Sequence, residues 1–266
     1  MKLFRSLTAG LVLCGMLAGC GAQPSAPSSG SASSPQAEPV ELTVFAAASM
    51  TETLTEIAEL YKTEAPDVSL VYNFDSSGTL QTQIEEGAVC DLFLSAGQKQ
   101  MDALETDFLL EGTRCDLLQN KVVLIAPKGA ENAPASFEEA ANAERIALGG
   151  ADVPVGQYSE EIFRHLGLWD SMNAAGKITF GSNVKEVLAQ VEAASVDCGV
   201  VYQTDAAASD GVTVCAEAPE DSYSPAVYPA AVLAGSEHPE EAKAFLAFLK
   251  TDACKQIFED AGFTVK

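Results

Sequence analysis

Apolar residues along this chain switch between runs that suit a strand and spacings that suit a helix. Residues 42–46 form a short apolar run, and Leu54, Ile57, Ala58 and Tyr61 then recur at helical spacing. Residues 68–74 alternate as a strand does, and a helix over 79–86 stops at Gly87. The pattern continues with strands at 91–95, 121–126, 145–148, 177–180, 198–202 and 227–233. Between them it predicts helices at 99–105, 136–143, 156–166 and 184–194, and a terminal helical region over 239–260. Strands separated by helices predict α/β layers with parallel sheets. No segment repeats at a period of about 20 to 50 residues, which excludes a solenoid.

The first 40 residues break this pattern. Lys2 and Arg5 precede an apolar stretch over 7–17, the charged and apolar parts of an export signal. That stretch is shorter than the roughly 20 residues a membrane-spanning helix needs. It ends in Leu17-Ala18-Gly19-Cys20, which resembles the lipobox of bacterial lipoproteins and implies a signal over 1–20 with Cys20 as the acylated first residue of the mature chain. Residues 21–40 are mostly Ser, Ala, Pro, Gly and Gln, have almost no large apolar side chain to bury, and read as a flexible tether.

Charge and cysteine content narrow the function. The formal net charge is −23, and both Lys2 and Arg5 lie ahead of Cys20 while no acidic residue does, so the mature chain is more negative still. Such a surface repels nucleic acid and anionic lipid. Beyond Cys20 stand Cys90, Cys115, Cys198, Cys215 and Cys254, an odd number with no Cys-x-x-Cys pair, which argues against a metal or thioredoxin-like site. Cys198 and Cys215 flank two strand-like runs and are the candidates for a disulfide, although spacing alone assigns no connectivity.

Chemistry concentrates where strands hand over to helices. Ser49-Met50-Thr51-Glu52 has the Ser-x-x-Glu form of a capping box directly after an apolar strand, which turns the free N–H groups of a first helical turn toward the carboxyl edge of the sheet. Asp75-Ser76-Ser77-Gly78-Thr79, Val153-Pro154-Val155-Gly156 and Ser182-Asn183-Val184-Lys185-Glu186 are three further junctions of this kind. One alone is ordinarily a helix start and nothing more. Four at strand ends point to an anion site built of dipoles, because open α/β sheets bind ligands in the crevice beyond their strand ends.

Longer stretches carry a resemblance. Residues 43–49 (Thr-Val-Phe-Ala-Ala-Ala-Ser), 76–80 (Ser-Ser-Gly-Thr-Leu), 87–96 (Gly-Ala-Val-Cys-Asp-Leu-Phe-Leu-Ser-Ala), 153–158, 166–170, 199–206 and the tail over 257–264 are, in order, similar to the molybdate-binding proteins of bacterial molybdate ABC transporters. The similarity covers essentially all of 41–266. It implies an α/β fold of the two-lobed periplasmic-binding-protein kind (type II), each lobe a mixed, mostly parallel sheet flanked by helices. Lobe one would hold 41–122 plus 225–266 and lobe two 123–224, closing over one tetrahedral oxyanion. The ligand contacts it implies are Ser49 and Ser77 through hydroxyl and main-chain donors, Val155 and Val184 through main-chain N–H, and Tyr202 through its phenol. The implied partners are molybdate or tungstate, the permease subunits of an ABC transporter, and the membrane through the lipid on Cys20. The protein would be a monomer with no organic cofactor and no metal cation, molybdenum being held as the oxyanion by those five residues.

The chemistry of the residues agrees with that ligand. Molybdate is fully deprotonated at neutral pH, so a donor-only site of hydroxyls and N–H groups satisfies it, and neutral dipoles leave no strong unpaired charge when the cleft is empty. Asp75 departs from the resemblance, where this position is small or neutral. A carboxylate in the site would favour a protonated oxyanion such as hydrogen phosphate; one that points to solvent or caps the next helix would not. Phosphate or sulfate is therefore the alternative ligand. An extracytoplasmic hydrolase is a more distant alternative, because the two histidines, His165 and His238, stand in no HExxH or paired pattern and no Gly-x-Ser-x-Gly elbow, P-loop or Gly-x-Gly-x-x-Gly occurs.

Overall fold

The computed structural model describes residues 39–266. The signal over 1–20, Cys20 and the tether as far as residue 38 lie outside the described residues. Among the described residues no helix is long and apolar enough to cross a membrane.

Two sheets organise the chain. The first has six strands in the order β11-β4-β10-β3-β1-β2, with β1 Val40–Ala47, β2 Val68–Asp75, β3 Leu92–Leu94, β4 Cys115–Asn120, β10 Ala226–Val232 and β11 Thr264–Val265. The second has five in the order β7-β6-β8-β5-β9, with β5 Val122–Pro127, β6 Ile146–Gly149, β7 Ile178–Gly181, β8 Cys198–Tyr202 and β9 Val212–Glu217. The main chain leaves the first sheet at Lys121, between β4 and β5, and returns to it between β9 and β10. Both sheets are mixed. Pairing is parallel for β1–β2, β1–β3, β6–β7 and β6–β8, and antiparallel wherever β4, β5, β9, β10 or β11 takes part. β5, β10 and β11 run against the other strands of their sheets, while β4 and β9 run with β3 and β8 across one intervening antiparallel strand.

Burial follows the pleat. On β1, Leu42, Val44 and Ala46 face one core with α1 Thr51–Glu64, while Phe45 faces a second with Leu80 and Ile84 of α2 Ser77–Glu85 and Leu104 of α3 Gln98–Leu104. A strand covered on both faces reads as a continuous apolar run, which is why 42–46 shows no alternation. The helical region predicted over 239–260 is two helices, Pro239–Phe248 and Asp252–Asp260, that break around Thr251.

Cys198 and Cys215 do not pair. β8 and β9 lie on opposite sides of β5, so the two thiols are separated by two strand spacings, about 9.6 Å, beyond the roughly 7 Å a disulfide can bridge. All five described cysteines are free, and burial pushes the Cys90 and Cys198 thiols up to about 12, far from a reactive thiolate.

Candidate functional site

Strand register brings the junctions together. Ala47 pairs with Asp75 and Ala46 with Leu94, so β1, β2 and β3 end level and present Ser49, Ser77 and Ala96 side by side. In the other lobe Gly149 pairs with Gly181, so β6 and β7 also end level and launch α5 Pro154–His165 and α7 Val184–Glu192 from adjacent points. β8 ends beside them at Tyr202. These carboxyl ends meet at a cavity of about 10 Å³, about the room that one water molecule needs. Its lining includes Ser49, Asp75, Ser77 and Ala96 from the six-stranded lobe and Val155, Val184 and Tyr202 from the five-stranded one. All five residues named from the resemblance therefore border one space, and each is buried.

Hydrogen bonds hold the hydroxyl groups around this space in place. Ala96 N–H donates to Ser77 Oγ at 2.9 Å, which occupies a lone pair and leaves the Ser77 proton free for an acceptor. Ser49 Oγ lies 2.9 Å from Tyr228 Oη, and Asn120 Nδ2 donates to Tyr228 Oη at 3.2 Å and to Thr204 Oγ1 at 2.9 Å. Asn120 Oδ1 accepts from Lys121 N–H at 2.9 Å, which fixes the orientation of that amide. Asn120 as donor occupies one lone pair of Tyr228 Oη; the Ser49–Tyr228 bond can run either way, and where Tyr228 donates, Ser49 keeps its proton for an acceptor in the cavity. Burial holds the Tyr202 and Tyr228 phenols well above their ordinary pKa, so both stay protonated donors. Tyr202 Oη makes only a long bond of 3.4 Å to Ala96 O. Val155 and Val184 sit in the first turns of α5 and α7, where main-chain N–H groups have no intrahelical acceptor.

Two expectations change. Ser49 is not a helix cap: residues 48–50 wind into a 3-10 turn before α1, whose N-cap, Met50, makes no side-chain cap bond, and Ser49 bonds Tyr228 instead. Asp75 neither points away into solvent nor caps α2. Ser76 is that cap, accepting from Thr79 N–H at 3.1 Å. Asp75 Oδ1 accepts from Ser76 N–H at 2.7 Å and from Asn183 Nδ2, in the opposite lobe, at 3.1 Å. Asn183 does cap α7, its Oδ1 taking Glu186 N–H at 3.1 Å while the Glu186 carboxylate reaches back to Ser182 N–H at 2.6 Å.

A charged cluster lies behind the rim. Lys185 Nζ stands 2.8 Å from both carboxylate oxygens of Glu52 in α1 and 3.1 Å from Asp205 Oδ1, the second contact lacking hydrogen-bond alignment. Burial pushes the Asp205 carboxyl up to about 6 even beside Lys185. Burial also works against the Lys185 ammonium, but Asp205 and Glu52 outweigh it and hold its pKa above the usual lysine value. Neither Lys nor Arg lines the cavity among the described residues, and no group of three or more His, Cys, Asp or Glu side chains there is arranged to hold a metal cation.

Residues 42–264 match the family described as bacterial extracellular solute-binding protein. A protein of Haemophilus influenzae named as molybdate-binding protein is 40% identical over 233 residues, which cover 85% of this chain and 91% of that one. A Bacillus subtilis protein, by name a candidate substrate-binding lipoprotein of an ABC transporter, is 38% identical over 253 residues, 94% of each chain. Among solved structures, the substrate-binding domain of a candidate molybdenum ABC transporter from Clostridium difficile superposes with a TM-score of 0.63 at 39% identity, covering 85% of this chain and 98% of that one.

Proposed function

Because this chain belongs to the bacterial extracellular solute-binding protein family, we propose that it captures molybdate between its lobes outside the cytoplasm and delivers it to the permease subunits of an ABC transporter. The observation that carries the ligand is the cavity lining, with hydroxyls and the first turns of two helices but, among the described residues, no side-chain cation. Ala96 N–H donates to Ser77 Oγ and leaves the Ser77 proton free, and Tyr228, which accepts from Asn120, can donate to Ser49 and free the Ser49 proton for the ligand. A tetrahedral dianion whose oxygens are all acceptors satisfies such a set. Ser49 and Ser77 bind from one lobe, and Val155 N–H, Val184 N–H and Tyr202 from the other, so occupancy joins the lobes. The lobes, about 41–122 with 225–266 and 123–224, part by flexing at Lys121 and between β9 and β10. Tungstate, of nearly the same size and charge, is bound as well.

Calorimetric titration with molybdate, tungstate, sulfate and phosphate tests the reading directly. Molybdate and tungstate should bind at least about tenfold more tightly than the other two. Phosphate binding tighter than molybdate would replace the ligand.

The relay behind Ser49 has its own consequence. Tyr228→Phe removes the hydrogen-bond partner that orients Ser49 and leaves Asn120 Nδ2 with one acceptor fewer, so molybdate affinity should fall by about 3- to 10-fold. An unchanged affinity would show that Ser49 needs no such orientation.

The anchor is proposed at Cys20. In cells, Cys20→Ser should release the protein from the membrane fraction without changing its affinity for molybdate, because the tether contributes nothing to the lobes. Membrane retention of that variant would rule out lipidation at Cys20.

A further inference from the structure

Asp75 is the residue that the oxyanion reading leaves unexplained, since an acidic side chain borders a cavity meant for a dianion. Its contacts give it a different task. Asp75 is the last residue of β2 and is half-buried. Its Oδ1 takes one N–H from its own lobe, Ser76 N at 2.7 Å, and one from the other, Asn183 Nδ2 at 3.1 Å. Asn183 is held at both ends of its amide, because its Oδ1 accepts Glu186 N–H as the cap of α7. The bond therefore runs from β2 of one lobe into the first turn of α7 in the other, where Val184 lines the cavity. Two residues further on, Lys185 reaches Glu52 of the first lobe at 2.8 Å. Contacts at 183 and 185 grip the same turn on either side of Val184, and both cross from one lobe to the other.

We infer that Asp75 is a positioning residue for oxyanion binding: on closure its carboxylate accepts the Asn183 amide, fixes the start of α7 with Val184 N–H aimed at the ligand, and slows release. This inference rests on the oxyanion reading of the cavity. It also reverses a sign. A carboxylate that merely faced the anion would oppose binding, and removing it would tighten the complex; a latch, when removed, loosens it. Two N–H donors on one oxygen draw the carboxylate toward the rim, and partial exposure screens what repulsion is left. Because the latch forms after encounter, its loss belongs to the dissociation rate.

The test uses the mature full-length chain, with molybdate as probe, in equilibrium titration and stopped-flow. Asp75→Ala should raise the dissociation rate about tenfold while association stays within about twofold. Asp75→Asn keeps an oxygen for both Ser76 N–H and Asn183 Nδ2, and should stay within about threefold of the unmodified protein. Asn183→Asp keeps the helix cap but sets a carboxylate against Asp75, and should weaken binding at least about tenfold. The exchange of both, Asp75→Asn with Asn183→Asp, restores a donor and an acceptor across the cleft at unchanged net charge and should recover most of that loss. Melting of the ligand-free proteins checks that each is folded. Tighter or unchanged molybdate binding by Asp75→Ala, or an exchanged pair no better than Asn183→Asp alone, overturns the latch while the oxyanion reading stands. Failure of the unmodified protein to bind molybdate, tungstate, sulfate or phosphate overturns that reading, and the latch with it.

Discussion

Ser77→Ala should weaken molybdate binding by about 10- to 150-fold, the equivalent of one hydroxyl bond to a charged acceptor at roughly 1.5 to 3 kcal/mol. Ser77 is fully buried, and its oxygen is held by Ala96 N–H at 2.9 Å, so no alternative geometry lets water replace the lost donor in the closed cleft. Ser49→Ala and Tyr202→Phe should lose affinity in the same range. In each case the ligand-free protein should melt close to the unmodified one, because in the open form water reaches the groups left behind. Ser49 carries no helix cap, so its variant needs no correction for a lost cap. Val155→Ala and Val184→Ala should bind almost normally, since the donor there is a main-chain N–H that the substitution keeps. Calorimetry on the five variants, with melting curves to show that all are folded, separates the two classes. Valine variants as weak as the hydroxyl variants would mean that the side chains, not the main chain, hold the anion.

How much of this site the sequence announces depends on how local each contact is. Ser77, Val155 and Val184 stand at helix starts directly after strands, a junction visible within ten residues, and the structure seats all three on the cavity. Asn183 shows itself the same way, with Glu186 three residues on, and it does cap α7. Ser49 illustrates the limit. Its Ser-x-x-Glu pattern has the form of a capping box, yet the hydroxyl bonds Tyr228, 179 positions away. Nothing near Tyr228 marks it as part of a site: a period of two tells which way a strand residue points, not what it meets. Asp75 is hidden for the same reason, since its Asn183 partner is 108 positions away in the other lobe. Among fold elements, the pattern of apolar residues misses β4, which has only Leu117 and Leu118 as large apolar residues, and β9, where Val212 and Val214 alternate but Val214 stands exposed. The break around Thr251 between the last two helices has neither proline nor glycine to announce it.

Gly78→Ala should abolish tight binding while leaving the ligand-free protein as stable as before or slightly more so. Gly78 lies in the first turn of α2, where alanine is the better helix former by up to about 1 kcal/mol. The three atoms nearest such a methyl group all belong to Asp152. The obstacle is across the cleft: a Cβ at this position would lie 2.1 Å from the main-chain oxygen of Asp152 and 2.9 Å from its carbonyl carbon. Backbone cannot swing aside as a side-chain tip does, so the lobes would have to stop short of closure. The five-stranded lobe would then hold Val155 N–H, Val184 N–H and Tyr202 too far from an anion seated on Ser49 and Ser77. Losing two such charge-assisted bonds is worth at least about 3 kcal/mol, which sets the expected loss of molybdate affinity at about 150-fold or more. Gly156→Ala is the control. Its Cβ would meet Gly149 O at 2.3 Å and Gly150 O at 2.4 Å, all within one lobe, so it should lower the melting temperature of the ligand-free protein, as Gly78→Ala should not. Small-angle scattering with saturating molybdate should show the unmodified protein contracting and Gly78→Ala failing to contract. If Gly78→Ala instead binds molybdate within about threefold of the unmodified protein and contracts as it does, the bound state does not bring α2 against Asp152, and the closed cleft described here is not the one that holds the anion.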